Sequence, residues 1–428
     1  MLLAVLTGFA STASAQDVGD QNGRIRDTFE YQAGLIDWDS IKLYNAERVR
    51  DRDRHDWAPM GFDSGYYLTL PKIASALGYD DNIRSPSGKM GDFYNETNAS
   101  VVFQSEFTRH ILDVQVGVRT VNYLENEEQD HADANARVGG RIDIDGSNAL
   151  FAEYTDELTH KEVFDPDADL GADEPIPLHS QVAATGYVHD NGRIKITAGL
   201  SGSISDYDNI TARNGQTLNE NYRDLTGYGA YLRMLYRFSP GYSAFVGTGI
   251  DRKEYWDAIS THRDATRERI KVGVNTEIDP LLRLNLDVGY TFRDYDLASE
   301  KDFGSWEWNA EAQWLVTPLV TIYGNLGQSL TESSYPGSLG RYDTAVSMQV
   351  EYEMWRNLLW TANFDITFSD YLETDRSDIY WSAKIGGEYL VNNNLMFTLN
   401  YEHQQRDSTI NQFDNEDNRY LIGLRLAY

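Results

Sequence analysis

From about Leu70 to its last residue the chain is a ladder of segments in which apolar and polar residues alternate, and the ladder closes on Tyr420-Leu421-Ile422-Gly423-Leu424-Arg425-Leu426-Ala427-Tyr428. In an extended strand, successive side chains point to opposite sides. Tyr420, Ile422, Leu424, Leu426 and Tyr428 therefore share one face, and Gly423, Arg425 and Ala427 share the other. Such a strand separates water from either lipid or a dry core, and the remaining segments decide which.

The same register holds along the chain. Leu112, Val114, Val116 and Val118 oppose Asp113, Gln115, Gly117 and Arg119. Leu282, Leu284, Leu286, Val288, Tyr290 and Phe292 oppose Arg283, Asn285, Asp287, Gly289, Thr291 and Arg293. Trp306, Trp308 and Trp314 oppose Glu307, Glu311 and Gln313, and Trp360, Phe364 and Phe368 oppose Thr361, Asp365 and Thr367. The segments run roughly 12 to 16 residues, longer than the roughly 9 to 11 that cross a bilayer's hydrocarbon and more than twice an ordinary sandwich strand.

Connections between segments alternate in length. Asp145-Gly146-Ser147-Asn148, Asp190-Asn191-Gly192, Ser239-Pro240-Gly241, Asp279-Pro280, Thr317-Pro318 and Asn392-Asn393-Asn394 are short and built from turn formers. Between them lie longer, mostly acidic or glycine-bearing links, among them 80–91, 163–177, 205–219, 257–266 and 406–417. A soluble sandwich gives no reason for that alternation. A transmembrane antiparallel up-and-down β-barrel does, with tight periplasmic turns and longer external loops. The expected fold class is therefore all-β, a barrel of about eighteen strands over residues 64–428.

Composition agrees. Only 41% of the residues are hydrophobic, with no interior run near the roughly 20 apolar residues of a spanning helix, yet 28 Tyr and 9 Trp are available for interfacial girdles. There is no cysteine, so disulfides and thiolate metal sites are excluded. A formal net charge of -30 makes nucleic acid and anionic lipid poor partners.

Residues 1–15 read as a signal peptide, with a short apolar core and the small residues Ala13 and Ala15 before an expected cut at Gln16. No Lys or Arg precedes that core. Residues 16–63 read as a periplasmic arm, and its charge run Arg48-Val49-Arg50-Asp51-Arg52-Asp53-Arg54-His55-Asp56 is expected to be solvated.

Gly78-Tyr79-Asp80-Asp81-Asn82-Ile83-Arg84-Ser85-Pro86-Ser87-Gly88 followed by Asp92-Phe93, the upstream Val49-Arg50-Asp51-Arg52 and Asp56-Trp57-Ala58-Pro59-Met60-Gly61, and Arg109-His110 together resemble the β-barrel porin 2 family of outer-membrane proteins. The resemblance implies a barrel in the outer membrane of a Gram-negative bacterium and an association with exopolysaccharide or capsule gene clusters. It brings no catalytic residues. Tyr428 closes a terminal aromatic segment resembling the signal read by the barrel-assembly machinery, expected here as a transient partner.

On the inward face of such a barrel, Arg119, Arg137, Arg141, Lys195, Arg269, Lys271, Arg283, Asp287, Arg293, Glu307, Glu311, Asp365, Lys384, Glu388 and Arg425 are the expected pore-lining set. Individually each is an ordinary cross-strand ion pair; only the set speaks for a channel. Asp165-Pro166-Asp167-Ala168-Asp169 imitates the start of a calcium loop, but Leu170 stands at position six and Ile176 at position twelve, so no metal site is expected there. His160, His179, His189 and His403 carry no spacing that builds a Ser-His site, and no enzyme and no cofactor are expected. The expected function is passage of polar solute, in export of an extracellular polysaccharide. A general diffusion porin and a non-conducting barrel that organises a surface polysaccharide assembly are the alternatives. Outer-membrane lipid, lipopolysaccharide and polysaccharide-export components are the expected partners.

Overall fold

The computed structural model describes residues 48–52, 54–84, 89–162, 171–258, 260–297, 300–335 and 337–428. The expected signal peptide and the calcium-like stretch 165–169 lie outside the described residues.

Eighteen long strands follow one another: β1 Tyr67–Asp80, β2 Asp92–Ser105, β3 Ile111–Tyr123, β4 His131–Asp143, β5 Asn148–Lys161 and β6 Ile176–Asp190. Next come β7 Ile194–Tyr207, β8 Leu225–Ser239, β9 Tyr242–Tyr255, β10 Ala265–Asp279, β11 Leu282–Tyr295 and β12 Phe303–Thr317. The last six are β13 Val320–Thr331, β14 Arg341–Trp355, β15 Leu358–Tyr371, β16 Ser377–Leu390, β17 Leu395–Ser408 and β18 Asn415–Ala427. Each pairs antiparallel with its sequence neighbours, and β1 pairs with β18 from Lys72↔Ala427 to Asp80↔Arg419, which closes the barrel. Closure follows from the solvent. In hydrocarbon an unpaired backbone N–H or C=O costs several kcal/mol, so an open edge is not tolerated. The even count places both strand ends of the barrel at the rim of the short turns.

Alternation sets the faces. On β11, Leu286, Val288, Tyr290 and Phe292 are exposed on the outside while Thr291 and Arg293 are buried on the inside. The barrel is thus apolar outward and polar inward, the reverse of a soluble protein and the arrangement lipid requires.

A repeated clasp closes several external links. Single 3₁₀ turns at Glu127–Gln129, Asn221–Arg223, Thr261–Arg263 and Asn411–Phe413 are each followed by an aspartate, Asp130, Asp224, Asp264 and Asp414. Their carboxylates accept the last N–H of the incoming strand from Tyr123 at 2.6 Å and from Tyr207, Tyr255 and Ser408 at 2.7 Å. Asp302 does the same for Tyr295 at 3.0 Å. That amide has no ladder partner beyond the strand end, and the aspartate satisfies it. Asp264→Ala is therefore expected to destabilise the barrel by about 1 kcal/mol, read as a lower urea midpoint in a vesicle refolding assay. An unchanged midpoint would show that the link closes by other means.

Candidate permeation pathway

Every one of the fifteen residues expected on the inner wall falls on the strand face opposite the exposed apolar band, and the structure shows what each class of them touches. Arg119 pairs with Asp133 at 3.0 Å and Glu96 at 3.3 Å, Arg137 with Glu153 at 2.8 Å and Arg141 with Asp143 at 2.7 Å. Lys271 stands 3.9 Å from both Asp287 and Glu307, Arg283 is 3.4 Å from Glu277, and Lys384 is 3.7 Å from Glu402. Glu311 accepts amide N–H bonds from Asn285 and Asn309 at 3.2 Å. Lys195 and Arg269 are largely covered on the inner faces of β7 and β10, Asp365 is half-buried on β15, and Arg425 lies on the inner face of β18. Charges are unevenly distributed around the wall. Arg267, Arg269 and Lys271 alternate along β10 with Arg233 and Arg293 near them, whereas Glu351, Glu353, Glu388 and Glu402 concentrate on β14, β16 and β17.

The acidic sector holds the chain's own N-terminal segment. The expectation that the charge run at 48–56 is solvated holds for His55 and Asp56, which are exposed, and is overturned for Val49, Arg50, Arg52 and Arg54. Val49 is 1% exposed, packs with Leu359, Leu390, Met396 and Trp57, and donates its N–H to Thr321 Oγ1 at 3.1 Å. Arg50 reaches Glu388 at 3.0 Å, Glu351 at 3.3 Å and Thr361 Oγ1 at 2.9 Å. Arg52 and Arg54 share Glu353 at 2.9 and 2.7 Å, and Arg54 also donates to the Val49 carbonyl at 2.6 Å. The reason is charge matching: the three arginines find carboxylates already inside the wall, so burial leaves no ion unpaired. Phe62–Asp63 then pairs with Leu68 and Thr69 of β1, and the Phe62 ring stacks on Tyr428 at 4.1 Å. All of these wall residues lie at the short-turn end of β13–β17, so the segment narrows the periplasmic mouth.

At the other mouth, links fold inward and over one another. Glu162, beyond the end of β5, reaches Arg419 of β18 at 2.6 Å, five strands away around the wall. Glu332, beyond β13, pairs with Lys253 at 2.9 Å and Arg293 at 3.5 Å. Burial alone would raise its carboxyl, but Lys253, Arg293 and Arg263 outweigh burial and hold it well below the usual carboxylate range. Tyr335 sits between Tyr371 and Phe413, with the Arg376 guanidinium 3.6 Å from the Phe413 ring centre. Arg213 donates to the Arg84 carbonyl at 2.8 Å, Ala172 pairs with Ala212, and Ala172, Ile176, Tyr207 and Ile210 form a small apolar cluster. Here burial, with Asp206, Asp208 and Asp257 nearby, pushes Asp224 up to about 6. A raised acid favours the protonated fold, so this group's contribution to stability is lost as pH rises from 3.8 to about 6.

The sequence reading missed the docked segment and the inward links. A signal for the first was present: Leu359 and Leu390 occupy inward positions of otherwise polar strand faces, and something apolar must cover them. His160 and His179 hydrogen-bond Asp133 at 2.8 Å and Asp156 at 2.9 Å.

A closed antiparallel barrel of eighteen strands, greasy outside, charged inside, with turns at one rim and links at the other, is an outer-membrane barrel of the porin type. The sequence matches the family described as Putative beta-barrel porin 2 over residues 55–428, and the chain belongs to that family. The family is one of porins and not of enzymes, and the fold places the chain in a Gram-negative outer membrane. Among solved structures it is similar to Pseudomonas aeruginosa OccK2, also named OpdF, with 10% identity and a TM-score of 0.48 over 84% of this chain and 98% of that one. It is also similar to Acinetobacter baumannii OccAB4, with 10% identity and a TM-score of 0.45 over 88% and 100% of the two chains. No curated protein sequence matches.

Proposed function

We propose that the barrel passes polar solutes across the outer membrane and that saccharide chains of an exported polysaccharide are its cargo. The observation that carries the reading is the inner wall: charge, amide and hydroxyl groups recur on successive strands, so a hydroxyl-rich solute can exchange hydrogen bonds with the wall from rim to rim. Paired ions such as Arg137–Glu153 leave that wall locally balanced, which suits a bulky polar chain better than a strong single-sign field. The family resemblance supports the polysaccharide. Titrating uronic-acid and neutral oligosaccharides against current in a planar bilayer tests the cargo: saturable, side-dependent block is the expected result, and currents indifferent to all saccharides would count against it.

One observation favours a second reading, a barrel that organises a surface assembly without conducting. It is the docked segment at the periplasmic mouth, which a non-conducting barrel would keep in place permanently.

If the channel conducts, weak cation selectivity is expected, because acidic residues outnumber basic ones by 67 to 37 and exposed Glu125 and Glu127 stand on the external side. Glu128 and Asp130 act differently: Glu128 pairs with Arg84, and Asp130 clasps Tyr123. The preference should weaken as the screening length falls from about 30 Å at 0.01 M salt to about 3 Å at 1 M. Reversal potentials under a salt gradient check this, with Glu125→Gln/Glu127→Gln expected to lie closer to zero than wild type. Anion selectivity in the wild type would contradict the argument.

A further inference from the structure

We propose that the seam where β1 meets β18 carries a divalent cation site at the external rim, built from Asp80, Asp81 and Asp417 with Asn82 beside them, and that calcium is the ion it takes. Carboxylate oxygens of the three aspartates lie within 4.8 Å of one another. That is about twice the 2.3–2.6 Å calcium–oxygen distance, so one ion can touch all three.

Burial distinguishes this group from ordinary surface acid. Asp417 is 0% exposed, Asp80 is 1% and Asn82 is 4%. Asp80 is served by the Asn82 N–H and Arg419, and the half-buried Asp81 by Asn418 N and Nδ2 at 2.7 and 2.8 Å, but two oxygens of the group have no partner. Asp417 Oδ2 accepts from Arg419 and from Gln404, both at 2.7 Å, while its Oδ1 is buried without a partner. Asn82 donates its backbone N–H to Asp80 Oδ1 at 2.8 Å and its Nδ2 to Asn415 Oδ1 and the Glu416 carbonyl, and its own Oδ1 is also buried without a partner. Two enclosed oxygens, one anionic and one a strong neutral donor to metals, thus accompany the acidic group. Buried oxygens in that state call for a hydrogen-bond donor or a cation, and a cation serves the anionic one best.

Charge accounting points the same way. Arg419 is the buried cation at Asp80, 3.0 Å away, but it also serves Asp417 and, at 2.6 Å, Glu162. Lys89 is half exposed and stands 3.8 Å from Asp81, shared with Glu416 at 3.4 Å. One guanidinium facing three carboxylates leaves net negative charge enclosed, and an all-oxygen donor set without nitrogen or sulfur suits a hard cation. The site would fasten 81–84 to β18 at the point where the barrel closes.

The test uses full-length protein refolded in detergent free of lipopolysaccharide, so that lipid phosphates contribute no calcium sites. Isothermal titration with calcium chloride should find one saturable site per chain, and melting of the heat-modifiable form should shift upward by several degrees between EDTA and 5 mM calcium. Asp417→Asn should weaken binding at least tenfold. Asp81→Asn, which leaves the Arg419 contacts with Asp80 and Asp417 intact, should do the same in a protein that still folds, and Glu125→Gln should change nothing. No saturable binding up to 10 mM, or binding unaffected by Asp81→Asn, overturns the proposal. So does a melting temperature that ignores calcium and EDTA but rises on acidification, which would assign a shared proton to the facing carboxyls.

Discussion

Glu353→Gln will raise the single-channel conductance several-fold. Glu353 is 3% exposed, holds both Arg52 and Arg54, and lies 3.5 Å from Arg356, so its neutralisation leaves the buried Arg54 and the partly exposed Arg52 without their counter-ion. Breaking one side of a buried pair costs roughly 3–5 kcal/mol. That exceeds the roughly 1.5–3 kcal/mol that full burial of one valine contributes, and leaves Arg50, with Glu388 and Glu351, as the one charged anchor of the Val49 stretch described at the wall. The segment around Val49 should therefore leave the wall, widening the periplasmic mouth while the barrel stays closed. Arg50→Ala/Arg54→Ala reaches the same state from the other side and should match it. Limited proteolysis gives the control: both variants should become cleavable near residues 50–54. Cleavage without any gain in conductance would mean that the segment does not limit the current.

Leu286→Arg will impair folding far more than Asp287→Arg, although the two positions are adjacent. Leu286 is 42% exposed on the outer face of β11, where lipid is its solvent, and an arginine near the bilayer midplane costs roughly 2–4 kcal/mol. Asp287 faces inward beside Lys271, and an arginine there has water and the carboxylate of Glu307 within reach. Phe364→Arg and Asp365→Arg repeat the contrast on β15. The readout is the fraction of heat-modifiable protein after refolding into vesicles across a urea series. Equal defects at both members of a pair would place the inside and outside of the strand wrongly.

That second contrast rests on a pattern legible without coordinates. Strict period-two alternation leaves little freedom: shifting β11 by one residue would turn Arg283, Asp287 and Arg293 into lipid, so the register, the inward set and the closure through Tyr420–Tyr428 are all readable from the sequence. The alternation of turn and link lengths supplies topology in the same way. What the sequence does not display is whatever depends on contacts between distant segments. Arg50 meets Glu388 across 338 positions, and Arg419 meets Glu162 across 257. A charge run such as Arg48 to Asp56 has the same composition whether it is solvated or buried among carboxylates, and only the inward Leu359 and Leu390 distinguish the cases. The clasping aspartates Asp130, Asp224, Asp264 and Asp414 read locally as loop acidity, and their role appears only in their recurrence immediately before the next strand. Asp130 reads as one more acid of an external link, whereas its carboxylate is committed to the Tyr123 amide.

Single-channel recording of the purified wild-type protein in a planar bilayer tests the central claim most directly. A polar lumen narrowed at the periplasmic mouth by its own N-terminal segment should give discrete, ohmic steps of modest size that grow when Glu353 is neutralised. Heat-modifiable, correctly inserted protein that shows no steps, with or without Glu353→Gln, would contradict a conducting lumen and leave a closed organising barrel in its place.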